Sequence, residues 1–239
     1  MSLSREALIT LRAPPNPTRT PTPTPNWQAP LLTFLSGSWA ITHSTSAHRA
    51  LTHRNARITL TLNPTTQNFT TSETSQVTTS SWWRGESNTD VSVTGTASPS
   101  DLKDGKASEF TFKLESASGG QGEGKSWSVL AWGKEGQLEK WMLEEEGGWI
   151  GDGSGERRGD WRDSYVVVYR HNDSEKEKRG GEEKEEGGLE GVVEVWDRWG
   201  GSPSGGLTGE TIGKIRDALK GVVVEGELRV VPTGVDCTK

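Results

Sequence analysis

The chain reads Leu-Ser-Gly-Ser-Trp-Ala-Ile-Thr-His-Ser over residues 35–44, and the rest of the fold can be placed relative to this run. From Trp39 onward, larger residues alternate with smaller ones, which is the two-residue period of a half-buried strand. This alternation predicts that Trp39, Ile41 and His43 share one face. Gly37 allows a sharp backbone turn before the strand. We therefore predict the first strand of a sheet, entered through a glycine turn.

The composition indicates one domain with extended polar segments. The chain has 239 residues, of which 30% are hydrophobic, and it contains 30 glycines and 11 tryptophans against 2 tyrosines. This length accommodates one domain of about 150–200 residues plus tails. The low hydrophobic fraction predicts a modest core surrounded by long polar loops.

Charge, hydropathy and cysteine content argue against several classes of protein. The net charge of −6 disfavours a nucleic-acid partner. No run approaches the ~18 apolar residues of a membrane span, and the first residues lack the apolar core of a secretory signal. Cys237 is the single cysteine and has no internal disulfide partner. Together these features favour a cytoplasmic protein.

Residues 1–27 hold most of the prolines of the chain, with threonines between them. This composition predicts an extended, disordered tail that contributes nothing to stability. A mitochondrial targeting segment is the alternative, because Glu6 alone opposes three basic residues there, Arg5, Arg12 and Arg19.

Residues 171–188 are charged, interrupted by glycine and without an apolar face. They predict a flexible insertion, with an acidic docking loop as the alternative. The ordered domain is expected to span residues 28–237.

Short β-rich runs separated by glycine turns follow the first strand. The clearest is residues 109–115, in which Phe110, Phe112 and Leu114 alternate with polar residues. Residues 45–55 are predicted to form a loop. No helix is predicted between the runs, so we expect an antiparallel sandwich or barrel. The runs are 57–62, 69–83, 91–96, 109–115, 126–132, 138–144, 163–170 and 192–199.

One helix is predicted, over residues 208–220, and a short strand over 227–232. Thr208 can cap the start of the helix. An apolar stripe on one helix face is formed by Ile212, Ile215 and Leu219.

Taken in this order, the chain resembles the lipocalins of the calycin superfamily. The family opens its first strand with Gly-x-Trp, here Gly37 and Trp39. A Thr-Asp-Tyr-like turn precedes the seventh strand, and Asp-Ser-Tyr at residues 163–165 is similar to it. An arginine ends the eighth strand, where this chain has Arg198. The resemblance covers about residues 30–237.

The resemblance implies an all-β fold: an eight-stranded antiparallel up-and-down barrel with one C-terminal helix and a short extra strand packed outside. Fatty-acid-binding proteins share Gly-x-Trp but lack that helix. Secreted lipocalins often pair a terminal cysteine with an earlier one and carry a signal peptide. This chain has neither feature, which indicates an intracellular relative, of a kind encoded by fungi.

The resemblance also implies structural roles for four residues, Gly37, Trp39, Tyr165 and Arg198. In the family, the tryptophan closes the barrel floor and the arginine stacks across it. We therefore expect a cation–π contact between Trp39 and Arg198.

The remaining signal is aromatic, because several tryptophans fall on predicted barrel strands. They either fill a small barrel or line a cavity for a planar or polyene ligand, oriented by a few polar groups. For the second case we predict seven ligand-binding residues: His43, Trp82, Trp83, Arg84, Trp127, Trp132 and Trp141.

These patterns favour the binding or carriage of a small hydrophobic molecule. The alternatives are a lipocalin-like isomerase or cyclase that acts by positioning its substrate, and a filled barrel that serves as an interaction module. The spacing of His43, His48 and His53 does not aim them at one metal ion. No catalytic residue, metal or cofactor is predicted, and an inward-facing histidine or carboxylate with a perturbed pKa would favour the enzyme.

Overall fold

The computed structural model describes residues 9, 11–14, 27–81, 85–115, 125–134, 164–171, 191–198, 207–220 and 227–233. Within them, strands dominate. They are β1 (Gly37–Ser44), β2 (His53–Leu62), β3 (Phe69–Ser81), β4 (Gly85–Pro99), β5 (Glu109–Leu114), β6 (Lys125–Lys134), β7 (Ser164–His171), β8 (Gly191–Asp197) and β9 (Arg229–Val230).

The first eight strands close into an up-and-down barrel. Each strand from β2 to β7 pairs antiparallel with the next one along the chain. β1 pairs antiparallel with both β2 and β8 and closes the barrel. β9 adds to β1 outside the closed ring, with His43 opposite Val230. The predicted barrel and extra strand are confirmed.

The C-terminal helix α3 (Gly209–Lys220) packs outside the barrel, as predicted. The hydroxyl oxygen of Thr208 accepts a hydrogen bond from the Thr211 N–H at 3.3 Å and caps the helix start. The apolar stripe of the helix is buried against outward-facing residues of β7 and β8, among them Val167, Tyr169, Val193 and Val195. Tyr165 belongs to this same outer cluster.

Two short helices were not predicted. α1 (Leu32–Leu35) precedes β1, and α2 (Ala47–Thr52) lies in the segment that was expected to be a loop. The Ser46 hydroxyl accepts a hydrogen bond from the Arg49 N–H at 3.2 Å and caps α2. α2 lies against β1, β2, β3 and β9 and so covers one end of the barrel.

The opposite end is closed by the predicted tryptophan–arginine pair. The guanidinium carbon of Arg198 lies 4.3 Å from the centre of the buried Trp39 ring. Arg198 also donates hydrogen bonds to the carbonyl oxygens of Phe34, at 2.7 Å, and Ser36. Gly37 has a φ of +128°, and a Cβ there would lie 3.0 Å from the guanidinium, so only glycine fits. The cation–π contact is confirmed.

The prediction of a tail without contacts is wrong for the described residues near the N-terminus. Ile9 and Leu11 are buried in the outer cluster beside α3. The Arg12 backbone N–H donates to the Leu130 carbonyl at 2.9 Å, and its guanidinium donates to the Ser108 hydroxyl at 3.0 Å. Composition predicted solvation here because prolines and threonines are dense in residues 1–27, but two aliphatic side chains suffice to dock the segment.

Two sequence-based predictions fall mainly outside the described residues. They are the charged insertion at 171–188, of which the structure describes His171 as the last residue of β7, and the strand predicted at 138–144. β6 pairs directly with β7, with Trp132 opposite Val166.

Candidate ligand-binding site

A row of aromatic rings crosses the middle of the barrel. The Phe110 and Trp127 rings stack with centroids 4.1 Å apart and an interplanar angle of 12°. Phe69 lies 5.9 Å from Phe110 on one side, and Trp196 lies 5.4 Å from Trp127 on the other. All four rings are buried. Because they occupy inward positions of β3, β5, β6 and β8, they fill the centre of the barrel.

Above this row, toward α2, four charged side chains form a cluster inside the barrel. Glu73 of β3 and Glu194 of β8 are the acids, and Arg49 of α2 and Arg170 of β7 are the bases. We call these four residues the charged cluster. Glu194 is 1% exposed. The cluster was not predicted from the sequence, because its members come from four separate elements.

Each arginine of the charged cluster contacts both glutamates. Arg170 places Nη1 2.9 Å from Glu73 Oε2 and Nε 2.8 Å from Glu194 Oε2. Arg49 places Nη1 3.1 Å from Glu194 Oε1 and donates through Nη2 to Glu73. The Trp196 indole N–H donates to Glu194 at 2.9 Å, which ties the cluster to the aromatic row. The cluster therefore bridges the barrel from β3 to β7 and β8.

Glu73 and Arg170 of the charged cluster stay ionised near neutral pH. Burial alone would raise the pKa of Glu73, but the guanidinium groups of Arg170 and Arg49 outweigh it and lower the pKa to about 2. Burial would lower the pKa of Arg170, but the two glutamates raise it above its usual value. No proton is exchanged by Glu73 or Arg170 at pH 7. These two groups are suited to hydrogen bonding and charge pairing rather than to acid–base chemistry.

Four apolar side chains on β4 and β5 face the same part of the barrel, two of them exposed and two partly buried. The register places Phe112 opposite Ala97 and Leu114 opposite Gly95, and the strand alternation continues through Val93 and Val91 on the inward face. We call Val91, Val93, Phe112 and Leu114 the apolar wall. Val91 is 38% exposed and Val93 36%.

Gly95 and Glu73 both lie next to the apolar wall. A Cβ at Gly95 would lie 2.6 Å from the Phe112 ring, so only glycine leaves room for the ring at this position. Val93 pairs with Glu73 across the β3–β4 ladder. The site therefore has an exposed apolar side, formed by the apolar wall. Next to it lies a polar side, formed by the ion-paired residues of the charged cluster.

His53 is a titratable side chain at the same end of the barrel. Its Nδ1 lies 2.9 Å from the Ser75 hydroxyl, and Ser75 is buried. Burial lowers the pKa of His53, and the nearby Arg49 and His48 lower it further. The imidazole is therefore neutral at pH 7. It is a perturbed inward-facing histidine of the kind that an enzyme would need.

The prediction that His43 shares a face with Trp39 is wrong. The register between β1 and β8 shifts between Ile41 and His43, so a β-bulge interrupts the alternation. Ile41 pairs with the inward-facing Trp196, but His43 pairs with Val195, which faces α3 outside the barrel. Burial, followed by the charge of Arg216 on α3, lowers the pKa of His43 to about 4. No part of the candidate site rests on His43.

Of the other six predicted ligand-binding residues, the structure describes two, which lie in different parts of the barrel. Trp127 lies in the aromatic row. Trp132 lies at the closed end, where its ring is 4.8 Å from Phe34 and its indole donates to the Gln28 carbonyl at 2.8 Å. The last four lie outside the described residues: Trp82, Trp83, Arg84 and Trp141.

The sequence did contain a signal for the charged cluster. Glu194 is two residues before Trp196 in an apolar run, so a strand period places both side chains on one face. Arg170 has the same spacing from Val168 on β7. A charge in phase with buried residues indicates a buried partner, although the period alone does not identify that partner.

Within the described residues, no group of histidine, cysteine or acidic side chains could hold a metal ion. The helices in this part of the chain are also too short or too polar to cross a bilayer.

Comparisons with known proteins gave matches to solved structures alone. No family model and no curated protein matches the chain. Its structure is similar to apocrustacyanin C2, with 12% identity, 86% of this chain and 81% of that chain covered, and a TM-score of 0.47. Apocrustacyanin C1 (13% identity) and lobster apocrustacyanin A1 (12% identity) cover the same shares, each with a TM-score of 0.46. Sequence identities and TM-scores of this size carry no information on the ligand or the activity of this chain.

Proposed function

We propose that this protein binds or carries a small, largely apolar molecule at the end of the barrel covered by α2. The molecule would lie between the apolar wall and the charged cluster, above the aromatic row. The observation that carries the proposal is the incomplete burial of the apolar wall inside a closed barrel.

Scattered exposed apolar side chains are ordinary on a protein surface. The apolar wall differs because its members share one inward face on two adjacent strands, with Phe110 buried directly below them. Covering such a surface is favourable by about 25 cal/mol per Å². A ligand that covers the wall gains this free energy, and the closed strands around it limit the ligand to a small molecule.

The state of the charged groups favours a binder over the isomerase or cyclase alternative. Glu73 is held ionised by two arginines, so it is a weak base and cannot act as a general acid at pH 7. His53 is a described group through which the enzymatic alternative could transfer a proton.

The proposal predicts that a charge on the apolar wall weakens ligand binding. We expect Val93→Glu to lower the affinity for the neutral fluorescent probe N-phenyl-1-naphthylamine by about tenfold or more, because a carboxylate cannot be buried against an apolar probe without a partner. The probe is titrated into the purified protein and its emission is recorded.

Thr94→Glu is the matched control for this substitution. Thr94 is exposed and neighbours Val93 on β4, but its side chain points away from the barrel interior. The control should bind the probe like the wild type. Equal loss in both variants, or no saturable binding to the wild type, would contradict the proposed function.

A further inference from the structure

We infer that the ligand of this site carries a neutral hydrogen-bond acceptor, a ketone, aldehyde or ester carbonyl, which is held by Arg170. The inference rests on the proposed function, because it specifies which molecule would lie against the charged cluster. It follows from a surplus of donors in that cluster and from the balance of its charges.

The charged cluster has more hydrogen-bond donors than its own acceptors use. Three carboxylate oxygens, Glu73 Oε2, Glu194 Oε1 and Glu194 Oε2, lie within 3.1 Å of an arginine nitrogen, and Glu73 Oε1 accepts from Arg49 Nη2. A guanidinium has five N–H groups in a fixed plane. Among the described residues, three buried donors of the cluster have no hydrogen-bond partner, Arg170 Nη2, Arg170 Nε and Arg49 Nε, against one such acceptor, Glu194 Oε1. Of these atoms, Arg170 Nε and Glu194 Oε1 take part in ion pairs.

Arg170 is placed to present its spare donor to a ligand. It follows Val166 and Val168 on the inward face of β7, and both of these are in the barrel core. Its guanidinium is 5.6 Å from the Trp196 ring centre and is held at Nε and Nη1 by the two glutamates. These contacts fix the guanidinium plane, so Nη2 has a defined direction. A buried donor of this kind favours a ligand with an acceptor atom.

The charge balance selects a neutral acceptor. Two arginines and two glutamates cancel, so a carboxylate or sulfonate would bring an uncompensated negative charge into a buried site. An amine would add a donor to a cluster in which unpartnered donors already outnumber unpartnered acceptors. A carbonyl oxygen accepts from Arg170 without changing the net charge, and it leaves the apolar remainder of the molecule free to cover the apolar wall.

Three naphthalene probes separate these possibilities. Prodan carries a ketone, N-phenyl-1-naphthylamine is neutral without a carbonyl, and 1-anilinonaphthalene-8-sulfonate is anionic. We expect the wild type to bind prodan about tenfold more tightly than either of the others, as a hydrogen bond to a charged donor provides. Bound prodan should emit at a longer wavelength than in an apolar solvent, because its carbonyl accepts a hydrogen bond.

Arg170→Met should remove the preference for prodan and shift its bound emission to shorter wavelength, while N-phenyl-1-naphthylamine still binds. Arg229→Met is the control, because Arg229 is exposed on β9. If Arg170→Met fails to fold, the double variant Glu73→Gln/Arg170→Met keeps the cluster neutral and should show the same loss. Circular dichroism checks that each variant is folded.

The outcomes distinguish the inference from the proposed function. If no probe binds the wild type, both are wrong. If the three probes bind alike, or the preference for prodan survives in folded Arg170 variants, the inference is wrong and the proposed function stands. Tightest binding of the sulfonate probe would also overturn the inference, because it would show that the site accepts a net negative charge.

Discussion

At the scale of single residues, the closed end of the barrel depends on one stacked pair. Trp39 is buried, and its indole N–H donates to the Leu35 carbonyl at 2.8 Å. Arg198 covers the ring and also satisfies two backbone carbonyls. Burial lowers the pKa of Arg198 to about 10, which leaves it charged at pH 7. The pair is therefore both a cation–π contact and a cap on the chain that enters β1.

Truncating this pair should destabilise the protein unequally and non-additively. We expect Trp39→Ala to cost about 3–5 kcal/mol of unfolding free energy, as loss of a buried aromatic side chain does. Arg198→Ala should cost less. The double variant should differ from the sum by ~0.5–3 kcal/mol, because the two side chains are in contact. Urea denaturation of the four proteins measures the cycle. Strict additivity would contradict the stacked arrangement.

The two-residue alternation in the sequence indicated which residues lie inside the barrel, up to the β-bulge in β1. Phe110 and Trp127 were expected on strands and lie in the aromatic row. Alternation on β1 failed after Ile41, because the bulge arises from pairing with β8 and not from the local sequence. The charged cluster could not be assembled from the sequence for the same reason: its partners meet only after the barrel closes.

At the scale of elements, the bulge in β1 turns His43 toward α3. The ring is partly buried beside Arg216, and this burial disfavours the imidazolium form. Its pKa of about 4 lies below the ordinary value of 6.5, so the unfolded chain takes up a proton before the folded protein does. The contribution of His43 to the free energy of unfolding is complete above pH 6.5 and is lost as the pH falls toward 4.

His43→Gln should remove part of this acid sensitivity. Between pH 6.5 and 4, the melting temperature of the wild type should fall more than that of the variant, because glutamine takes up no proton. Above pH 7 the two curves should run parallel. Thermal unfolding at half-unit pH intervals measures the difference. Parallel curves over the whole range would show that His43 is solvated and not packed beside α3.

At the scale of the whole molecule, the N-terminal segment is part of the folded unit. Ile9 and Leu11 extend the apolar layer between α3 and the outer face of the barrel. Burying one aliphatic side chain contributes about 1.5–3 kcal/mol. The segment therefore strengthens the packing of the same strands that carry Arg170 and Glu194 on their inner faces.

Deleting residues 1–14 should lower the melting temperature by at least about 4 °C, on the usual relation between unfolding free energy and melting temperature. The physical reason is the loss of two buried side chains and of the backbone hydrogen bond from Arg12 to Leu130. Deleting residues 1–7 is the control, because it leaves Ile9, Leu11 and Arg12 in place. Scanning calorimetry measures both. Equal melting temperatures would show that the segment does not dock in solution.

The double pairing of β1 has a consequence for synthesis on the ribosome. β1 can pair with β2 soon after both have emerged, but its other edge must wait for β8, where Ala40 meets Asp197. Until then the nascent sheet has two open edges that can pair with other chains. Pairing β1 with β8 is also slow, because closing the long segment between them costs conformational entropy. Production of this protein should therefore depend on chaperones that shield nascent chains, and truncation before β8 should yield aggregates.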